Sequence, residues 1–137
     1  MIKKPTTGKL IDFSIDDIQA YLEEIKKLIL MDKYSVSLRA ENDDFMSKYR
    51  INTAKIKELM LNLQYRDFCY AAPNRKPEFS YEQLYIFCKE YELDNWGDFE
   101  TIKIYVKTNL TQLRNGDDFV IIISFHELEK PIRYLFK

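Results

Sequence analysis

The hydrophobic pattern of the chain begins as that of a helix. Between residues 14 and 31, apolar side chains recur every three or four positions, which predicts one amphipathic helix. Its apolar stripe is formed by Ile15, Ile18, Leu22, Ile25 and Ile29. Ser14 and Asp17 have the spacing of a capping box, with Asp in place of the usual Glu or Gln. We therefore expect the helix to begin directly after Ser14.

Two shorter helices are expected next. The segment 37–48 is mostly polar, with Leu38, Phe45 and Met46 as apolar anchors, and favours a short helix. Asn52 or Thr53 is a suitable N-cap for a third helix over residues 54–64. The apolar stripe of that third helix is formed by Ile56, Leu59, Met60 and Leu63.

From residue 65 onward the pattern is typical of strands and loops. Residues 65–70 favour a short strand, and residues 71–80, which contain Pro73 and Pro77, are predicted to form a loop. Two later segments, 83–89 and 101–108, alternate between two faces as strands do. In the second of these, Ile102, Ile104 and Val106 form one face, and Lys103, Tyr105 and Lys107 form the other. Residues 93–98 are interpreted as a connection between the two strands.

A hairpin is predicted near the C-terminus. Asn115-Gly116 is a strong turn signal because both positions of a tight hairpin turn need positive φ. The continuous apolar run within 118–125 favours a strand in the middle of a sheet, covered on both faces. Helices followed by such strands predict an α+β fold, with N-terminal helices packed on a small antiparallel β-sheet. We assign residues 1–13 to an N-terminal arm and 14–137 to a single domain.

The composition limits the kinds of metal and phosphate-binding site that the chain can form. The 137 residues carry a formal net charge of −1 and include two Cys and one His. These cannot supply the four ligands of a structural zinc site, and no glycine-rich phosphate-binding motif occurs. Cys69 and Cys88 are therefore expected to be buried free thiols. We expect no metal and no cofactor.

Charge and hydropathy limit the choice of partners. No apolar run approaches the roughly 18 residues of a membrane-spanning helix, and the N-terminus lacks the apolar segment of a signal peptide. We therefore expect a cytoplasmic protein with no membrane partner. Dedicated nucleic-acid binders usually carry a clear basic excess. This chain does not, so any RNA contact would depend on a local patch.

The candidate catalytic residues lie at the ends of the predicted hairpin strands. His126 follows the apolar strand beside Glu127, and histidine is the default proton-transfer side chain near neutral pH. Lys103, Tyr105 and Lys107 project from one face of the preceding strand. If the register places His126 beside them, a phosphate would meet cations, a phenol and an imidazole. Those groups are sufficient for RNA cleavage by attack of the 2′-hydroxyl.

Simpler interpretations of the same residues stay open. A histidine at a strand end can merely bond a backbone carbonyl, and a Lys-Tyr-Lys face is common on exposed strands. Arg75 and Lys76, in the proline-flanked loop, are candidates for gripping phosphate. Such a pair is often only solvated.

These pieces, in this order, resemble the MqsR-type toxins of bacterial type II toxin–antitoxin systems, which belong to the RelE-like group of mRNA-cleaving toxins. The resemblance covers about residues 15–137 and is carried by short stretches. They are Ser37-Leu38-Arg39, Leu61-Asn62-Leu63, Arg66-Asp67-Phe68-Cys69, Ile104-Tyr105-Val106-Lys107, Ile123-Ser124-Phe125-His126-Glu127 and Pro131-Ile132-Arg133-Tyr134-Leu135-Phe136-Lys137.

The resemblance implies a RelE-like fold and metal-independent cleavage of mRNA, free or on the ribosome, restrained by a cognate antitoxin protein. By motif, Tyr105 matches the active-site tyrosine of the family. His126 stands where many members have Lys, and the branch that this chain resembles has His. Tyr70 stands where the better-known members carry a basic residue. A further polar family position falls on Glu82 or Gln83.

The resulting hypothesis is a toxin-like endoribonuclease. In it His126 is the general acid or base, Tyr105 orients the phosphate or donates a proton, and Lys103, Lys107 or Arg75 stabilises the phosphate. The RNA-binding residues would be Lys103, Arg75, Lys76 and Tyr70.

The alternative hypothesis is a protein-binding or inhibitory module. The chain would then be a catalytically degenerate member of the family or a mobile-element protein. Acidic residues concentrate between Glu90 and Glu100, with Tyr91 and Trp96 among them. Such a stretch could contact a basic partner, or it could be a solvated connection.

Overall fold

The computed structural model describes residues 9–79 and 81–137. Its helices are α1 (Ile15–Leu30), α2 (Ala40–Lys48) and α3 (Thr53–Leu61). Its strands are β1 (Tyr34–Val36), β2 (Phe68–Pro73), β3 (Gln83–Asn95), β4 (Asp98–Gln112) and β5 (Asp118–Glu127). The strands form one five-stranded sheet in the order β1-β5-β4-β3-β2. The predicted α+β class is confirmed.

The sheet is mixed and not wholly antiparallel. The three pairs among β2, β3, β4 and β5 are antiparallel, but β1 lies parallel to β5. The strand β1 was not predicted, because a three-residue strand is too short to show alternation. Its pairing brings the segment between α1 and α2 to the edge of the sheet.

The helices begin close to where their caps predict. The capping box at Ser14 is confirmed, since its hydroxyl accepts from Asp17 N and the Asp17 carboxylate accepts from Ser14 N. Asn52 caps α3 by accepting from Lys55 N at 2.9 Å. The third helix ends at Leu61, earlier than predicted, although Leu63 beyond it is fully buried.

All three helices pack against one face of the sheet. The main core combines their apolar faces with strand side chains that include Phe87, Ile104, Val106 and Ile122. Among the described residues, the opposite face carries a small cluster around Cys69, Ile86 and Cys88, to which α1, α2 and α3 contribute no side chain. Both thiols are buried and free, as expected. Among the described residues, no helix combines the length and apolar sequence needed to cross a bilayer.

The predicted connection at residues 93–98 is wrong. The two strands β3 and β4 continue through it and join at Trp96 and Gly97, which have φ of 53° and 108°. Two successive residues at positive φ match the right-handed twist of a hairpin. Leu93 is buried and belongs to the core.

Two further boundaries differ from prediction. The segment predicted as a strand over 65–70 starts with a 3-10 turn, and the strand β2 extends to Pro73, inside the predicted loop. Ala71 on β2 exchanges two backbone hydrogen bonds with Leu10, at 2.7 and 2.9 Å. Leu10 belongs to the predicted N-terminal arm, whose residues 1–8 lie outside the described residues, as does Ser80.

The strand β5 lies in the interior of the sheet, between β1 and β4, as its apolar sequence predicts, but only one of its faces is covered by helices. Val120 and Ile122 are fully buried in the core. Ile121 and Ile123 are half-buried and line an open cavity on the opposite face. The helix-free face of the sheet is therefore accessible at its centre.

Candidate functional site

The register between β4 and β5 brings the predicted catalytic residues together. Tyr105 lies directly opposite His126, and Lys107 lies directly opposite Ser124. Directly opposite residues of an antiparallel pair share one face, and here it is the helix-free face. The rings of Tyr105 and His126 are stacked, with centroids 5.4 Å apart and planes at 22°.

An irregularity in β5 sets this register. Lys107 pairs with Ser124 but Thr108 pairs with Ile122, so Ile123 is an extra residue on β5. Such a β-bulge changes the face of the sheet toward which the residues after it point. Because the inserted residue reverses the alternation, Ser124 and His126 face the same side as Ile121.

The buried side chain of Asn42 holds the bulge in place. Its Nδ2 donates to Ile123 O at 3.0 Å and to Ser37 O at 3.1 Å, and its Oδ1 accepts from Phe125 N at 2.9 Å. Asn42 lies on α2 and is 0% exposed. It therefore supplies hydrogen-bond partners to backbone groups at the bulge and in the segment between β1 and α2.

Two adjoining cavities open on the helix-free face. The first, here called the cation cavity, has a volume of about 710 Å³, and the second, the histidine cavity, has about 440 Å³. His126 and Ser124 line the histidine cavity. Five side chains line both cavities: Lys9, Arg39, Tyr70, Tyr105 and Lys107.

Cations converge on this surface. Lys107 is half-buried, and burial lowers its pKa, with Arg39 and Arg75 lowering it further. None of these three side chains takes part in an ion pair among the described residues. Binding an anion would relieve their mutual repulsion, so the cation cavity favours a ligand such as phosphate.

The phenol of Tyr105 is held in its neutral form. Burial is the largest cause of its raised pKa, and the neighbouring Tyr70 phenol adds to the effect. A neutral phenol can donate a hydrogen bond at physiological pH but cannot act as a base. The Lys9 ammonium lies 4.7 Å from the centroid of the Tyr70 ring, which adds a cation to the edge of the same surface.

The backbone fixes the tautomer of the neutral His126 ring. Its Nδ1 lies 2.9 Å from Glu127 O, and a carbonyl oxygen only accepts hydrogen bonds. The proton of the neutral ring is therefore assigned to Nδ1, which leaves Nε2 with a lone pair. In that tautomer Nε2 is the atom that can take a proton.

The C-terminal segment forms one wall of the histidine cavity. Leu128, Pro131 and Ile132 line the cavity, and Leu128 and Ile132 also pack against the cluster of buried thiols. Burial raises the pKa of Cys69 to about 12, so this thiol is not poised as a nucleophile. The candidate chemistry therefore falls to Tyr105, Lys107 and His126.

The other predicted RNA-binding residues divide into two groups. Tyr70, Arg75 and Lys76 line the cation cavity. Lys103 is exposed, lies opposite Glu90 and lines neither cavity, although it shares the face of Tyr105. Its position opposite an acidic side chain makes it a poor phosphate ligand.

Several polar residues that line the cavities were not predicted, among them Lys9, Arg39 and Asn109. Arg39 and Lys9 come from distant parts of the chain, and nothing in their local sequence distinguishes them from solvated cations. Glu82, one of the two positions at which the resemblance implies a polar residue, lines the cation cavity together with Asn109 and Thr111. Asn109 continues the face of Lys103, Tyr105 and Lys107, so extending that alternation by one step would have found it.

A larger groove of about 880 Å³ lies between β1 and the helices α2 and α3. None of the predicted site residues lines it. Size alone does not define a site, and convergent polar groups with shifted pKa values are the stronger indication. The helix-free face is the better candidate for that reason.

Comparison with known proteins does not assign the chain to a family. No protein family, curated protein or solved structure matches the chain. Within residues 9–79 and 81–137, no group of three or more His, Cys, Asp or Glu side chains could hold a metal ion. The site is thus defined by its own geometry: a stacked Tyr–His pair beside a cationic cavity on a mixed sheet.

Proposed function

We propose that the protein is a toxin-like, metal-independent endoribonuclease that cleaves mRNA at the helix-free face of its sheet. The observation that supports it best is the opposition of Tyr105 and His126 beside the half-buried Lys107. An imidazole, a neutral phenol and cations around one cavity match the needs of 2′-hydroxyl attack on a phosphate.

Each residue has a chemical role in the proposed reaction. Nε2 of His126 takes the proton of the 2′-hydroxyl, and the 2′-oxygen attacks phosphorus. The bond from phosphorus to the 5′-oxygen breaks, and Lys107, whose lowered pKa makes it the better proton donor, protonates that oxygen. Tyr105 donates a hydrogen bond to a non-bridging oxygen. The products are a 2′,3′-cyclic phosphate and a 5′-hydroxyl.

Arg39 and Arg75 stabilise the extra negative charge of the phosphorane. Both line the cation cavity, and both act on the charge of Lys107. Guanidinium groups suit this role because their paired donors match two phosphate oxygens. Cations outside the cavity, such as Lys103, would contribute little.

The resemblance to MqsR-type toxins is what supports a toxin function. It adds three elements to the proposal: mRNA as substrate, a cognate antitoxin as partner, and action in the cytoplasm. The predicted active-site tyrosine of that family, Tyr105, is a residue of the described cavities.

Growth under induced expression tests the toxin function. The wild-type chain, His126→Ala and Tyr105→Phe are expressed from a tightly controlled promoter in bacteria, and total mRNA integrity is followed. We expect growth arrest with mRNA loss for the wild type alone. Arrest by a folded His126→Ala variant would contradict the role of His126.

A second candidate function is a protein-binding module, and one surface favours it. At the far end of the β3–β4 hairpin, Trp96 and Phe99 are 66% and 69% exposed, among Asp94, Asp98 and Glu100. Exposed aromatic residues beside acidic side chains suit a basic partner, and the Arg50 guanidinium already lies 4.2 Å from the centroid of the Trp96 ring. Soluble, folded wild-type protein that accumulates to high yield without arresting growth would favour this function.

A further inference from the structure

One part of the cation cavity, here called the Glu82 end, is lined by Asn74, Glu82, Asn109 and Thr111. The proposed reaction does not use it. The Glu82 carboxylate accepts from Asn74 Nδ2 at 3.1 Å, Asn109 Nδ2 at 3.2 Å and Thr111 Oγ1 at 2.9 Å. No cation forms an ion pair with Glu82 among the described residues. A negative side chain is thus built into a cavity whose other groups attract phosphate.

This arrangement leaves acceptor atoms without a donor. Oε2 of Glu82 accepts only the Thr111 hydroxyl, so it keeps an acceptor position. The carboxylate also fixes the amide of Asn109, because only Nδ2 can donate to it. Oδ1 of Asn109 is then left buried without a hydrogen-bond partner among the described residues. Asn109 itself is 5% exposed.

Two aromatic side chains line the same cavity. Phe79 is 40% exposed and lines the cavity together with the half-buried Tyr70. Unstacked bases of single-stranded RNA bind by stacking on aromatic side chains and by hydrogen bonds to their Watson–Crick edges. The cavity therefore offers a cationic end for phosphate, aromatic surfaces for a base, and acceptors for the edge of that base.

We infer that the Glu82 end of the cation cavity is a nucleobase subsite that selects a base carrying an amino group on its Watson–Crick edge, and rejects uracil. The inference rests on the proposed function. Cytosine, for example, presents its N4 amino group as a donor. Uracil presents the O4 oxygen there, which would face the carboxylate of Glu82.

Binding of cytidine and uridine hexamers tests the inference. Hexamers with 2′-fluoro groups cannot undergo 2′-hydroxyl attack, and the two bases match in size and charge. Fluorescence anisotropy should show the cytidine hexamer binding the wild-type protein about tenfold more tightly, the effect of one well-placed hydrogen bond. Glu82→Gln should reduce the ratio to about twofold, because an amide offers uracil a donor.

Glu78→Gln is the matched control. It changes the charge equally, its side chain is exposed, and it does not line the cavity, so the tenfold ratio should persist. Equal binding of both hexamers by the wild type would overturn the subsite and leave the cleavage proposal standing. Failure of the folded wild type to bind either hexamer would overturn both. The wild-type ratio needs no variant, so misfolding of Glu82→Gln cannot obscure the result.

Discussion

Tyr105 and His126 lie directly opposite each other on β4 and β5, with ring centroids 5.4 Å apart. The pair joins a phenol kept neutral by burial to an imidazole whose Nδ1 is bound by Glu127 O. The register that places the two rings opposite each other depends on the bulge in β5. It also depends on Asn42, whose side chain holds the bulge in place.

Loss of the imidazole should abolish cleavage. For His126→Ala we expect RNA cleavage to fall by about 10²- to 10⁴-fold, the usual contribution of general acid–base catalysis. Single-turnover cleavage by the purified proteins measures it, with circular dichroism to verify folding. Tyr105→Phe keeps the stacked ring and should lose activity while retaining stability. Full activity in both folded variants would show that the pair is not catalytic.

Lys107→Met is expected to raise the free energy of unfolding near neutral pH. Burial and the neighbouring arginines lower the pKa of Lys107 from its ordinary value of 10.5. The unfolded chain therefore binds a proton in a pH range where the folded chain releases it, and stability rises with pH through that range. The gain in the free energy of unfolding from Lys107→Met should therefore shrink as the pH approaches 10.5.

Urea unfolding at pH 7 and pH 10.5 measures this difference. Lys103→Met is the control, because Lys103 projects from the same face of β4 but is exposed and lines neither cavity. It should show little effect at either pH. An advantage of Lys107→Met that is equal at both pH values would contradict the electrostatic explanation.

Arg39 should contribute to RNA affinity, whereas Lys103 should not. Arg39→Ala removes a cation that lines both cavities. We expect weaker binding of single-stranded RNA and a salt dependence reduced by about one phosphate contact. Lys103→Ala makes the same change of charge outside the cavities. Titrations at several salt concentrations compare them, and equal losses would indicate only a diffuse electrostatic effect.

Asn42 is predicted to be a main contributor to stability among the polar residues. Asn42→Leu leaves Ser37 O, Ile123 O and Phe125 N without their partner. Each buried unsatisfied group costs about 1–3 kcal/mol, so we expect a loss of about 3 kcal/mol or more. Asn52→Ala, which removes an exposed helix cap, should cost about 1 kcal/mol. Chemical denaturation distinguishes them, and a smaller loss for Asn42→Leu would be the contrary result.

Much of the fold could be predicted because its signals are local. The capping box at Ser14, the alternation of β4 and the turn at Asn115-Gly116 each depend on neighbouring residues, although only Gly116 of that turn has positive φ. The same alternation placed Tyr105 and Lys107 on one face. The shared face with His126 stayed conditional, because register depends on pairing between strands.

The missed features depend on contacts between distant segments. Asn42 lies in the polar run Glu41-Asn42-Asp43-Asp44, where nothing marks it as buried. Its burial follows from the bulge that it supports, about 80 residues later in the chain. Arg39 reaches the cavities only because the unpredicted strand β1 pairs with β5 and brings the adjacent segment to that edge.

The central claim is that the Tyr105–His126 site cleaves RNA by 2′-hydroxyl attack. That reaction leaves 5′-hydroxyl ends, and such ends can be captured by ligation and mapped across cellular RNA. We predict that they accumulate within mRNA after induction of the wild-type chain and do not accumulate with His126→Ala at matched expression. Soluble wild-type protein that produces no new 5′-hydroxyl ends would contradict the account.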